Sequence, residues 1–386
     1  MNVPVRRSLE IDFFRGLVLI VIAIDHIPGS LLAHVTLHSY AYCDAAEVFV
    51  FLGGYASAAA YTGLEAQRGK LAASRRFLQR AWEIYRAYLL TAWLALLCGA
   101  ALTSLHVASP FLADTGWGDF GRHPLRFLAQ IAWFKQQPYL SAVLPMYVCF
   151  ALCVPGIVPL AVRVPSAALF ASLALWFCGP WLAGVLPVAI DGGWAFNPFA
   201  WQLIFVFGVL CRAHPVSNAF QASHAGLRLT ALAAAVVLAL AFIKLFIDTQ
   251  PTPGYMKQNL ASLRIVSFVA VVWLVAQAVR LQWVRVLVQW LPGVVTIGRH
   301  GLVCFVGGAV VSIAVDAAMR LAHVVEQWPF RLLGDIVAIG MLLALAQLDS
   351  ARKALRERAL PPQQPVGVPA RLASDKASGR RHRQHP

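Results

Sequence analysis

Charge is what this chain lacks. Only 13% of its 386 residues are Asp, Glu, Lys or Arg, roughly half of the ~25% usual in soluble domains, so a large soluble domain is excluded. The acids are the scarcer sign, 17 against 32 Lys and Arg. Seven cysteines (43, 98, 149, 153, 178, 211 and 304) lie mostly inside apolar runs. Cys149 and Cys153 share a helical face without a nearby His or carboxylate, and read as small packing residues. The spacings form neither a disulfide framework nor a zinc site. There is no internal repeat, no Gly-rich nucleotide loop and no GxSxG elbow. The N-terminus does not read as a cleavable signal, because charges interrupt its start and no A-x-A-like site follows the first apolar run.

What remains is apolar sequence, 59% of the chain with a mean hydropathy of +0.67. Runs of membrane-spanning length recur almost to the end, which predicts an all-α, polytopic integral membrane protein. About ten transmembrane helices are expected, near 9–27, 45–63, 84–106, 139–160, 166–187, 197–212, 228–248, 262–280, 294–317 and 331–349. The sixth is short. The net charge of +15 does not point to nucleic acid, since its cations cluster in alternate loops and the tail. With both termini inside, the inner segments hold about three times the Lys and Arg of the outer ones, as positive-inside orientation produces. Residues 1–350 form the transmembrane domain in this reading. Residues 351–386, basic and Pro-rich without apolar period, read as a disordered cytoplasmic tail.

The chain is organised around its first two runs. Asp12, Arg15, Asp25 and His26 stand in the first. Eleven residues turn a helix about 20° past three full turns, so Arg15 and His26 share a face about 16 Å apart, and Asp12 lies on much the same face. Asp44 and Glu47 stand three apart at the outer start of the second run. Antiparallel packing brings them level with His26, where an imidazole among carboxylates gains the basicity and fixed tautomer that a general base needs. A structural cluster that holds the loop closed is the plain alternative.

Ionisable groups inside a membrane are costly and mark function, but several here stand near span ends. Arg299, Asp316 and Asp335 read as snorkelling groups of that kind, and Lys244 as reaching the outer interface. The basic segment EAQRGKLAASRRFLQRA, Glu65 to Ala81, reads as an amphipathic helix on the inner surface or as positive-inside charge alone. With Glu83 and Arg86 it builds a cationic patch, Arg76, Arg80 and Arg86, that suits the phosphates of coenzyme A and, almost equally, anionic membrane lipids. Outside, the second half of the loop 107–138 is expected to form an interfacial helix. DGGWAFNPF is expected to be an interfacial turn with an aromatic anchor, or else a sugar contact.

EIDFFRGLVLIVIAIDHI, DAAEVFVFLGGY and RAWEIYRAYLL together resemble the OpgC family, bacterial inner-membrane proteins associated with succinylation of osmoregulated periplasmic glucans. Arg15 and His26 fit the R-x10-H pattern of the wider membrane acyltransferase superfamily. AEVFVFLGGY is similar to its second-helix motif, with Gly53 where Ser is common. The specific part of the resemblance runs from about Arg6 to Leu90. It implies a multi-pass acyltransferase of the bacterial inner membrane, taking an acyl group, succinyl or acetyl, from cytoplasmic acyl-CoA to a hydroxyl of a periplasmic glucan or other envelope glycan. Acyl-CoA is then a donor substrate, with no permanently bound cofactor and no metal. His26 stands where the family's catalytic histidine is and Arg15 where its paired arginine is, and whether His26 acts as base or is itself acylated stays open. The competing class is a proton-coupled transporter, with Asp12, Arg15, Asp25 and His26 as a relay. A membrane scaffold would leave the polar first helix unexplained.

Overall fold

A computed structural model describes residues 8–359 apart from 190–192, 249 and 251–252. It is 83% helical, with no strand among the described residues. Among the described residues, seven helices are long and apolar enough to cross a membrane by length and composition. The predicted spans map onto these and onto three further features. The first helix, α1 (Leu9–Asp25), has only 17 residues. The second, α2 (Ala45–Ser104), has 60 and contains two predicted spans. The short sixth span is a 16-residue helix.

Each boundary has a local cause. Ser8 caps α1 by accepting from the Ile11 amide, and His26 closes it as the C-terminal cap. Asp44 and Glu47 form a capping box at the start of α2, which explains their three-residue spacing without any chemistry. Gly69, at φ 81°, breaks α2 into two parts. The basic segment straddles this break, and its second part begins a new helical stretch with Ala73, Phe77 and Ala81 buried against the bundle and Phe77 against the Tyr61 ring. The expected interfacial helix is α3 (Pro124–Ala132), seated by Phe127 and Ile131 with Leu125 exposed.

Next come α4 (Leu144–Arg163), α5 (Pro165–Leu182) and α6 (Pro198–Ala213). The turn before α6 is anchored by Trp194, which donates to the Pro187 carbonyl, and by Asn197, which caps α6 and donates to the Gly179 carbonyl. This supports the turn reading over the sugar reading for both residues; the first Gly of that loop lies outside the described residues. Buried along most of its length, α6 is the core of the bundle, whereas α7 (His224–Phe242) buries only Gly226 and Ala233. The chain ends with α8 (Ser262–Arg280), α9 (Trp283–Trp290), α10 (Pro292–Arg299), α11 (Gly301–Leu321) and α12 (Trp328–Ala359). Helix α12 runs nine residues into the segment read as tail, and the rest of that segment lies outside the described residues.

Glycines set two crossings. A Cβ on Gly16 would stand 1.9 Å from the Val294 carbonyl oxygen, and one on Gly298 would stand 1.8 Å from that of Asp12. The backbones of α1 and α10 thus touch, which holds Asp12 and Arg15 beside Arg299. Gly54 and Gly208 do the same for α2 and α6.

Two snorkelling assignments are corrected. Asp316 is fully buried, accepting from Ser109 at 2.6 Å and from Arg320. Asp335 is equally buried and accepts the Leu31 and Leu32 amides at 3.0 Å each. Both carboxylates clamp loops at the same end of the bundle, Asp335 through Oδ2 alone, its Oδ1 being buried with no hydrogen-bond partner among the described residues.

Candidate functional site: two cavities on one helix face

Arg15, Leu19, Ile22 and His26 recur along one stripe of α1, and two cavities open onto that stripe. The larger, about 670 Å3, is lined by Ile22, Asp25, His26, His38, Asp44, Lys244, Lys257 and Arg264 among others. The smaller, about 320 Å3, is lined by Arg15, Arg80, Tyr147, Arg299, His300, Asp349 and Lys353 among others. Leu19, Phe49 and Phe305 line both. The rings of Phe49 and Phe305 stack at 5.9 Å and 13°, so the wall between the cavities is apolar.

At the first cavity, His26 Nδ1 lies 2.5 Å from the Ile22 carbonyl. A carbonyl only accepts, so Nδ1 carries the proton and Nε2 is the basic nitrogen of the neutral ring. Asp25 and Asp44 line the same cavity as His26, and each of the three carboxylates is also engaged with other partners. Asp25 accepts from Thr36 at 2.8 Å and pairs with His38 at 3.3 Å. Glu47 is fully buried; Arg264 Nη2 lies 2.6 Å from its Oε1, and its Oε2 accepts the Asp44 amide. Asp44 pairs with Lys257 at 2.8 Å and with Arg264 at 3.1 Å. Burial pushes the Asp44 carboxyl up, but the Lys257 and Arg264 cations beside it hold it well below the usual carboxylate range. The stability these pairs contribute is therefore present above about pH 4 and lost as pH falls further. Asp44 and Glu47 serve to bolt the start of α2 to α8.

At the second cavity, the predicted cationic trio separates. Arg80 lines the cavity, whereas Arg86 lies with Arg75 and Trp82 along a shallow groove on α2. Arg76 and Arg80 pair with Glu83 at 2.9 and 3.0 Å. Asp12, 2% exposed, stands 3.5 Å from Arg299. Asp349 binds both His300 Nδ1 at 2.6 Å and Lys353 at 2.7 Å. The Tyr147 hydroxyl is buried with no hydrogen-bond partner among the described residues. A Cβ at position 53 would come within 3.0 Å of the Tyr147 ring, so glycine in place of the common serine lets that ring lie against α2.

Sequence reasoning missed Arg264, Lys257, His38 and Lys244 at one cavity and Asp349, Lys353 and Tyr147 at the other, while Arg299 and His300 stood among the ionisable groups it placed within spans. Arg264 carried a signal, as a charge two residues inside an apolar run. Asp349 and Lys353 carried a weaker one, as an i,i+4 pair at the end of the last span. Among the described residues no group of three or more His, Cys, Asp or Glu could hold a metal ion.

These features define a multi-pass, all-α membrane protein with two polar cavities end to end along its first helix. The family model described as OpgC protein matches residues 7–354, and the chain belongs to that family. No curated protein matches the chain, and no solved structure does. Membership in this family associates the chain with glucan modification of the acyltransferase kind.

Proposed function

We propose that the protein is a membrane O-acyltransferase that moves an acyl group, succinyl in the first instance, from cytoplasmic acyl-CoA to a hydroxyl of a periplasmic glucan. The observation that carries this reading is the pair of cavities, with Arg15 in one, His26 in the other and an apolar wall between. Both described ends of the chain lie toward the Arg15 cavity. In the bacterial inner membrane, with cytoplasmic termini, that cavity faces the donor.

Arg15, Arg80, Arg299 and Lys353 then meet the donor's phosphates, a role that Arg86 on the shallow groove and Arg76, paired with Glu83, serve less directly. Those two suit anionic lipid headgroups. The thioester carbonyl passes Leu19 and the Phe49–Phe305 stack toward His26. There the glucan hydroxyl oxygen attacks the carbonyl carbon while His26 Nε2 takes its proton. The C–S bond of the tetrahedral intermediate breaks, the thiolate leaves with a proton returned from the imidazolium, and the glucan ester remains. The backbone bond to Ile22 fixes the tautomer this requires.

A proton-coupled transporter would use the same two cavities. The wall of Leu19, Phe49 and Phe305 has no titratable group to carry a proton across, which counts against it. The test uses purified protein in nanodiscs with radiolabelled succinyl-CoA or acetyl-CoA, with and without glucan, beside His26→Ala. Label reaching glucan, with a roughly 10²–10⁴-fold loss in His26→Ala, is expected. Transfer that persists in the folded variant, or no transfer by the wild type, overturns the reading.

A further inference from the structure

Lys244 is out of keeping with its helix. Helix α7 turns nearly every side chain away from the protein, burying only Gly226 and Ala233. At Ile243 the backbone passes into a π-turn, Ile243–Ile247, and Lys244 is the only cation in it. Such turns insert an extra residue and redirect side chains, and they recur at functional sites. The sequence led us to expect Lys244 to reach outward to the interface. Instead it is half-buried and points into the larger cavity. Its Nζ donates to the carbonyls of His38 and, at 2.6 Å, Ala41, and stands 5.5 Å from the Tyr42 ring centre.

All of these partners are neutral. The other cations of the cavity, Lys257 and Arg264, have Asp44 and Glu47. His38 has Asp25. Among the described residues, Lys244 forms no ion pair. An ammonium has three donors, and two are used. One donor and a full charge thus remain, inside a partly apolar cavity that also holds His26. A charge so placed is costly unless an anion meets it.

Resting on the acyltransferase reading, we propose that Lys244 is a specificity-determining residue that binds the free carboxylate of a dicarboxylic acyl group whose thioester end lies at His26. The second carboxylate of a diacid then meets the ammonium, which a monoacid leaves unmatched. A carboxylate already carried by the glucan would offer the same chemistry, and the experiment separates the two.

The experiment is equilibrium binding to the full chain in nanodiscs, using succinyl-CoA, acetyl-CoA, neutral glucan and succinylated glucan. Lys244→Gln keeps amide donors for the His38 and Ala41 carbonyls while removing the charge, and Lys244→Arg keeps the charge. The wild type is expected to prefer succinyl-CoA over acetyl-CoA by roughly 10- to 100-fold, the range of a charge-assisted hydrogen bond. Lys244→Gln is expected to erase that preference by weakening succinyl-CoA alone, and Lys244→Arg to retain most of it. No preference in the wild type overturns the proposal. So does a preference that survives in Lys244→Gln, or equal weakening of both donors, which would make Lys244 a loop anchor. A charge effect confined to succinylated glucan moves the carboxylate to the acceptor and overturns it too. Because binding is read without turnover, a Lys244-dependent preference without any transfer would uphold this subsite while the transferase reading falls.

Discussion

The two cavities balance charge differently, although ion pairs occur at both: Arg80, Arg299 and Lys353 pair with Glu83, Asp12 and Asp349. At the His26 end, Asp44, Glu47, Lys257 and Arg264 spend their charge on one another and fasten α2 to α8. His26 itself is oriented by a backbone carbonyl. At the Arg15 end, Arg15, Arg80, Arg299 and Lys353 line the cavity alongside a single carboxylate, Asp349. The first cavity is a rigid frame around an imidazole, and the second is a cationic basin. Closeness in sequence to a catalytic candidate is therefore a poor guide to role. Asp25 adjoins His26 in the chain and lines the same cavity, yet its own hydrogen bond and ion pair run to Thr36 and His38.

The sharpest way to break this contrast is to exchange the consequences of two substitutions at the His26 end. Arg264→Met leaves Glu47 buried without its cation and Asp44 with Lys257 alone. Removing one partner of a buried pair costs about 3–5 kcal/mol, read as a large fall in the denaturation midpoint in mild detergent. His26→Ala should leave that midpoint nearly unchanged while abolishing transfer. If Arg264→Met proves stable but inactive, the ion-pair cluster belongs to the chemistry and the frame reading is wrong.

How much of this was legible in advance follows from range. The Arg15–His26 stripe is set by the helical period alone, so it could be read from eleven residues. The capping box is equally local, and its D-x-x-E pattern at Asp44 and Glu47 is open to a structural or a chemical reading from the sequence alone. What escaped was long-range. Glu47 and Arg264 are 217 positions apart, and nothing in spacing links them. The meeting of α1 with α10 depends on Gly16 and Gly298 touching backbones, and single glycines give no periodic signal. Lys244 escaped for a different reason: a π-turn rotates it away from the face that an α-helical count assigns.

A smaller effect is expected at the wall that separates the cavities. Phe305→Ala removes one ring of the Phe49–Phe305 stack and joins the two spaces. Water from the His26 cavity then reaches a thioester still waiting in the Arg15 cavity before an acceptor binds, and hydrolysis of acyl-CoA without acceptor should rise severalfold. Thiol release in the absence of glucan measures it. Phe305→Leu keeps an apolar barrier and should stay near the wild type. Equal rates in all three proteins would mean that the wall does not insulate the donor.

The smallest effect sharpens the other half of the contrast. The Tyr147 hydroxyl is buried at the Arg15 cavity without a hydrogen-bond partner among the described residues. An unmet buried hydroxyl is a cost, so Tyr147→Phe should leave stability unchanged or raise it by about 1 kcal/mol. Its ring contact with Phe49, at 5.4 Å, survives the change. If the hydroxyl is there for the donor, acyl-CoA binding should weaken severalfold in the same variant that gains stability. Stability and binding moving in opposite directions would mark Tyr147 as part of the donor site. A variant with unaltered binding would leave recognition in this cavity to its cations alone, and the donor's phosphates would then account for all of its polar contacts.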